Sequence, residues 1–151
     1  MNTSSDQIQK VVSLRASRAR VWRAIADSSE LGKWFQVEFE GPFRLGESIK
    51  GRSTHEDCKA AEIEASIEEL EPELLFSFRW HPYEIDSGID RSQAPSTLVE
   101  FRLEDEGEGT RLTITESGFD ALPKDRRDES FQRNEGGWKQ QVKNVTKHVD
   151  G

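Results

Sequence analysis

The stretch Phe131-Gln132-Arg133-Asn134-Glu135-Gly136-Gly137-Trp138-Lys139-Gln140-Gln141-Val142-Lys143-Asn144-Val145-Thr146-Lys147-His148-Val149 decides the fold. Its apolar residues Phe131, Trp138, Val142, Val145 and Val149 stand seven, four, three and four apart, which gathers them on one stripe of a helix. Such a stripe must be covered by another apolar surface. The rest of the chain offers one, and it is made of strands.

Leu112 and Ile114 alternate with polar residues, and across the turn Gly107-Glu108-Gly109 stand Val99, Phe101 and Leu103. Further upstream Phe76, Phe78 and Trp80 form an aromatic row, with Ser77 and Arg79 facing away. Ala61, Ile63, Ala65 and Ile67 alternate with Glu62, Glu64, Ser66 and Glu68, the two-residue period of a strand with one wet face. The alanines are small and leave room on the dry side. Residues 36–40 and 47–52 read as two more strands around the turn signals Gly41-Pro42 and Gly46. The first strand, 8–14, carries Ile8, Val11, Val12 and Leu14 and ends at Arg15-Ala16-Ser17. Ser17 is a natural N-cap for a short helix presenting Val21, Trp22 and Ile25. Asp27 with Glu30 resembles a capping box and opens a second short helix bearing Leu31, Trp34 and Phe35.

These elements predict an α+β helix-grip fold: a curved antiparallel sheet of six or seven strands around a long C-terminal helix, with two short helices after the first strand. At 151 residues and 17.2 kDa the chain suits one core. It shows no repeat and no interdomain linker, so residues 1–151 are expected to form a single domain. The net charge of −8 argues against nucleic acid or an anionic membrane as partner. No apolar run approaches the roughly 20 residues of a membrane span. The single cysteine, Cys58, rules out an internal disulfide, and the polar start lacks the apolar core of a signal peptide. A cytoplasmic location is therefore expected.

Several segments in order and spacing resemble a known family. They are Val21-Trp22, Leu31-Gly32-Lys33-Trp34-Phe35, Leu75-Phe76-Ser77-Phe78-Arg79-Trp80, Gly109-Thr110-Arg111-Leu112-Thr113-Ile114 running on to Glu116-Ser117-Gly118-Phe119, and Gly136-Gly137-Trp138. The chain from Ile8 to Val149 thereby resembles the C-terminal-type domain of activator of heat-shock protein 90 ATPase homologues, within the START-like or polyketide-cyclase-like superfamily. The resemblance implies the helix-grip fold and an internal cavity that in relatives holds lipids, polyketides or flavonoid-like molecules. It implies no particular activity. The eukaryotic activator carries an extra N-terminal domain for much of its chaperone binding, and nothing here corresponds to it, so chaperone activation is not expected.

Trp34, Phe76, Phe78, Trp80, Phe101 and Trp138 are candidates to line an apolar pocket, although ordinary core packing explains the same residues. Gly136 and Gly137 each cost a helix about 1 kcal/mol relative to alanine, so they predict a close approach or a bend. Glu116 continues the Leu112 and Ile114 row, and Glu135 sits between Phe131 and Trp138 on the helix. Both are candidates to anchor a ligand's hydroxyl or amine, or to form an acid–base pair. The plainer reading has them at a strand end and a helix rim, in water.

His55-Glu56-Asp57-Cys58 gathers potential metal ligands but has no second cluster at a zinc-like spacing, so it reads as a solvated loop. No metal or cofactor is expected. His81 has no nucleophile motif to activate and reads as a strand-end residue. His148 suits the negative end of a helix. Residues 81–95 make a connection longer than most hairpins need, either a lid or a plain excursion. The leading expectation is non-catalytic binding of a small apolar or aromatic molecule. The alternatives are a cyclase- or hydrolase-like enzyme using Glu116, Glu135 or His81, and a protein-interaction module with a chaperone or other protein as partner. A self-filled interior favours the module; an open one with buried carboxylates favours the enzyme.

Overall fold

Ser17 ends the first strand and starts the first helix: its Oγ accepts from the Arg20 amide at 3.2 Å. The structure, a computed structural model, describes residues 6–54, 62–83, 88–90 and 93–151. Strand β1 (Gln7–Leu14) leads into helices α1 (Arg18–Ala26) and α2 (Ser28–Phe35). Strands β2 (Val37–Phe39), β3 (Ser48–Ser53), β4 (Glu62–Glu71), β5 (Leu75–Trp80), β6 (Thr97–Glu106) and β7 (Gly109–Ser117) follow. A short 3-10 turn at Phe119–Ala121 precedes helix α3 (Lys124–Asp150). The strands form one curved antiparallel sheet in the order β1-β7-β6-β5-β4-β3-β2. The two short helices carry the chain from one edge of the sheet to the other. The strands then return as a meander, each beside its predecessor, until β7 meets β1. Gly32 is needed where α2 turns into β2, because a Cβ there would run into the Val37 carbonyl.

Asp27 caps α2 as expected, its Oδ1 accepting from the amides of Ser29 at 2.9 Å and Glu30 at 3.3 Å. Glu30 does not close the box. Its carboxylate accepts instead from Arg20 at 2.9 Å and Arg23 at 3.0 Å on α1, and lies 2.9 Å from His148 Nε2 in the last turn of α3. Burial on its own would raise the pKa of Glu30, but the hydrogen bonds from His148, Arg20 and Arg23 outweigh it and hold the carboxyl down at about 2. The depressed value means that this network stabilises the fold above the ordinary carboxyl value of 4.5 and is lost as pH falls from there toward about 2. Glu30→Gln should flatten the fall of the urea midpoint across that window. An unchanged acid limb would show that the network carries no stability.

On β1, Ile8 and Leu14 are buried and Val12 half-buried, whereas Val11 lies on the outer face at 56% exposure. Lys10 takes the inward position between Ile8 and Val12. The stripe of α3 faces the sheet: Trp138 and Val145 are buried, and Phe131, Val142 and Val149 pack partly buried against the same core. Of the two expectations for Gly136 and Gly137, the close approach is not found. The helix runs through them, and a Cβ added at either would meet nothing within 4 Å. With no close approach to protect, Gly136→Ala and Gly137→Ala should each raise stability by about 0.8–1 kcal/mol. Denaturant unfolding checks this, and a loss at either position would reveal a conformational need for glycine.

Candidate functional site

The inner face of the sheet presents Ala65 and Ile67 from β4, Phe76, Phe78 and Trp80 from β5, and Phe101 from β6, each on the alternation set by its strand. Helix α2 adds Trp34 and Phe35, and α3 adds Trp138. The Trp138 ring lies 5.8 Å from Phe35, 6.0 Å from Phe101 and 6.3 Å from Trp80, centroid to centroid. Phe76 stacks on Phe101 at 6.0 Å, and Phe78 meets Trp80 edge-on at 5.3 Å. Trp34 stands 6.4 Å from Phe101 and donates its indole N–H to the Ala24 carbonyl at 2.9 Å. These are packing distances for aromatic rings. The structure thus brings all six expected aromatics into one cluster. Beside this cluster a residual space of about 10 Å³ is walled by Phe78 and Trp80 together with Leu31, Phe35, Phe39 and Ala65, among others. A single water needs about that much.

At the floor of this cluster sits Glu116. It continues the inward row Thr110, Leu112, Ile114 of β7 and is 0% exposed. Four groups donate to its carboxylate. The Trp80 indole at 2.8 Å and the Thr97 hydroxyl at 2.6 Å reach Oε2; the Trp138 indole at 2.8 Å and the Asn134 amide at 2.9 Å reach Oε1. An indole N–H only donates, so the carboxylate serves as the common acceptor for β5, β6 and α3. A buried charge is tolerable when it is bonded in this way.

Glu135 does not join it. One residue along α3 from Asn134, it pairs with Lys10 of β1, at the rim of the sheet. His81 follows β5 and is half-buried, its Nε2 lying 3.2 Å from the Ala94 carbonyl while Nδ1 is buried with no hydrogen-bond partner among the described residues. Tyr83 donates to the Pro95 carbonyl at 2.8 Å, so the two ends of the β5–β6 connection are tied together. Residues 84–87, 91 and 92 of that connection lie outside the described residues, as does His55-Glu56-Asp57-Cys58. Among the described residues no group of three or more His, Cys, Asp or Glu side chains could hold a metal ion. A larger hollow, about 520 Å³, lies on the opposite face of the sheet. Its walls include Ser48, Ser66, Arg79 and Ser96, a polar lining unlike that of most small-molecule sites.

Residues 15–150 match the family model described as activator of Hsp90 ATPase homolog 1-like protein. The chain belongs to this family. No curated protein matches it. Solved structures share the fold of this family member at low identity. A protein from Arthrobacter aurescens is 17% identical with a TM-score of 0.77, the match covering 99% of this chain and 89% of that one. The Aha1 dimer from Colwellia psychrerythraea is 15% identical with a TM-score of 0.71, and 95% of each chain is covered. DynU16, from the dynemicin biosynthetic locus, is 20% identical with a TM-score of 0.71 over 96% of this chain, which spans only 47% of DynU16. Among the described residues no helix is long and apolar enough to cross a membrane.

In this member of the activator of Hsp90 ATPase homolog 1-like family, sequence reasoning missed Thr97 and Asn134 as partners of Glu116. Thr97 opens β6 after a long connection, and Asn134 sits among polar residues of α3, so neither belongs to an apolar pattern. It also missed Phe43, which is 8% exposed and packs 5.0 Å from Phe76 out of the β2–β3 loop. A loop residue carries no periodicity by which to find it.

Proposed function

We propose that this domain, acting as one unit over residues 1–151, binds a small apolar or aromatic molecule between the sheet and α3 without transforming it. The carrying observation is Glu116, a wholly enclosed carboxylate inside an aromatic chamber. Small-molecule sites combine apolar walls with a few placed polar groups, and Glu116 is such a group among such walls. Stability alone gives little reason to keep it, since apolar replacement of a buried charge together with its partners is often neutral or stabilising. Catalysis is disfavoured because the acceptor positions of Glu116 are taken up by four donors and Glu135 is engaged by Lys10. The single cysteine fits a reducing compartment, and we place the domain in the cytoplasm.

Trp80 and Trp138 report binding through their fluorescence. An apolar ligand should change it saturably and raise the melting temperature, by the equivalent of about 2.7 kcal/mol at one hundred times its Kd. Ala65 is 3% exposed and borders the residual space, so Ala65→Leu should weaken binding while the fold persists. Silence across a broad apolar screen would sink the reading. A second reading, a protein-interaction module with a chaperone partner, is favoured by the filled interior. It expects that silence, together with calorimetric binding to an Hsp90-type chaperone.

A further inference from the structure

Resting on that reading, we infer that Trp80 is the chamber's resident occupant and that the ligand is a flat aromatic molecule bearing an N–H or O–H donor, which takes the place of Trp80 against Glu116. Trp80 differs from the rings around it. Phe76, Phe78, Phe101 and Trp138 are at most 4% exposed, whereas Trp80 is only partly buried. It is the last residue of β5, paired with Thr97 at the end of the ladder, so rotation about its side-chain bonds clears the slot without disturbing the pairings further in. It also borders the residual 10 Å³ space.

The slot that Trp80 fills describes what would replace it. Phe35 lies 5.9 Å away at an interplanar angle of 34°, Trp138 at 6.3 Å and 37°, and Phe78 closes one side edge-on. The single polar demand is Glu116 Oε2, which takes the Trp80 N–H at 2.8 Å. When Trp80 leaves, Oε2 keeps only the Thr97 hydroxyl. A ligand with a phenol, indole or aromatic amine restores the lost donor. One with only acceptors leaves a buried carboxylate oxygen short of a partner, which is costly. An anion, fatty acids included, would bring a second negative charge against Glu116 in a low-dielectric interior. The chamber thus selects neutral or cationic donors and rejects anionic lipids.

Three probes of similar shape separate these cases: naphthol, methoxynaphthalene and naphthoate, each titrated into the full chain while the indole N–H proton resonances of its four tryptophans are followed. Loss of one signal in Trp80→Phe assigns the resonance of Trp80. Naphthol should move that resonance saturably and bind about tenfold or more tighter than methoxynaphthalene, the difference one hydrogen bond to a charged group makes. Naphthoate should not bind. Trp80→Phe keeps a ring but removes the donor, so neither probe has the Trp80–Glu116 bond to break, and naphthol and methoxynaphthalene should each bind it about tenfold tighter than wild type with the ratio between them preserved. Equal affinity for naphthol and methoxynaphthalene, or naphthol binding that leaves the Trp80 resonance in place, overturns the inference and leaves the apolar-ligand function standing. Silence from all three probes overturns it too; a saturable hit elsewhere in an apolar screen would then preserve that function alone.

Discussion

Trp138→Ala will lower stability by about 3–5 kcal/mol on denaturant unfolding, the range for a large aromatic removed from a core. Trp138 is 3% exposed and is the residue of α3 that touches α2, β5 and β6 at once, through Phe35, Trp80 and Phe101. Truncation leaves an indole-sized cavity beside Phe101, which is fully buried on β6, and the surrounding core closes over it only in part. It also takes one donor from Glu116 Oε1. Trp138→Phe retains most of the ring contacts and loses that donor, so it should cost less than the alanine variant, and the difference separates packing from hydrogen bonding. A loss below about 1 kcal/mol for Trp138→Ala would place the side chain outside the core and undo the grip of sheet on helix.

The elements that were legible in the sequence are those whose pattern is local. Ala65 and Ile67 alternate with Glu64, Ser66 and Glu68 because β4 has one wet face, and the α3 stripe follows from the helical period. Side chains whose direction is set by distant partners were not legible. Glu30 has the spacing of a capping box, yet two arginines from α1 and His148 from α3 draw it away. Lys10 breaks the apolar pattern of β1 by pointing inward, because Glu135, 125 residues later, meets it there. The candidate site divides in the same way. Alternation assigned the aromatics and Glu116 to the inner face, but it says nothing of how far the helix stands from the sheet. That separation decides whether the face lines an open cavity or packs on itself, and here the rings meet. Phe39 and Phe43, on and beside the short edge strand β2, supply part of that filling.

Glu116 should prove the most sensitive polar residue of the fold. Glu116→Leu keeps a side chain of similar size and removes the acceptor from four donors at once. Two of these are indoles that cannot accept in return. A neutral donor left buried without an acceptor costs about 1–3 kcal/mol, and with four left behind the leucine variant should lose more than any variant that strands one. Glu116→Gln is milder and more diagnostic. The amide offers one oxygen and one NH2 group; Thr97 can turn its hydroxyl, or Asn134 its amide, to accept from the NH2. On whichever side the NH2 falls, one indole N–H is left without an acceptor. The expected cost is therefore that of one unsatisfied buried donor, about 1–3 kcal/mol. In a Trp138→Phe background the NH2 can face the side from which the indole is already missing, so Glu116→Gln should cost less there than in the wild type, a coupling that a double-mutant cycle reads directly. A Glu116→Leu variant as stable as the wild type would mean that the four donors find other partners, and that Glu116 does not tie β5, β6 and α3 together. Loss in the leucine variant without coupling in the cycle would place the cost in the carboxylate's other donors rather than in its bond from Trp138.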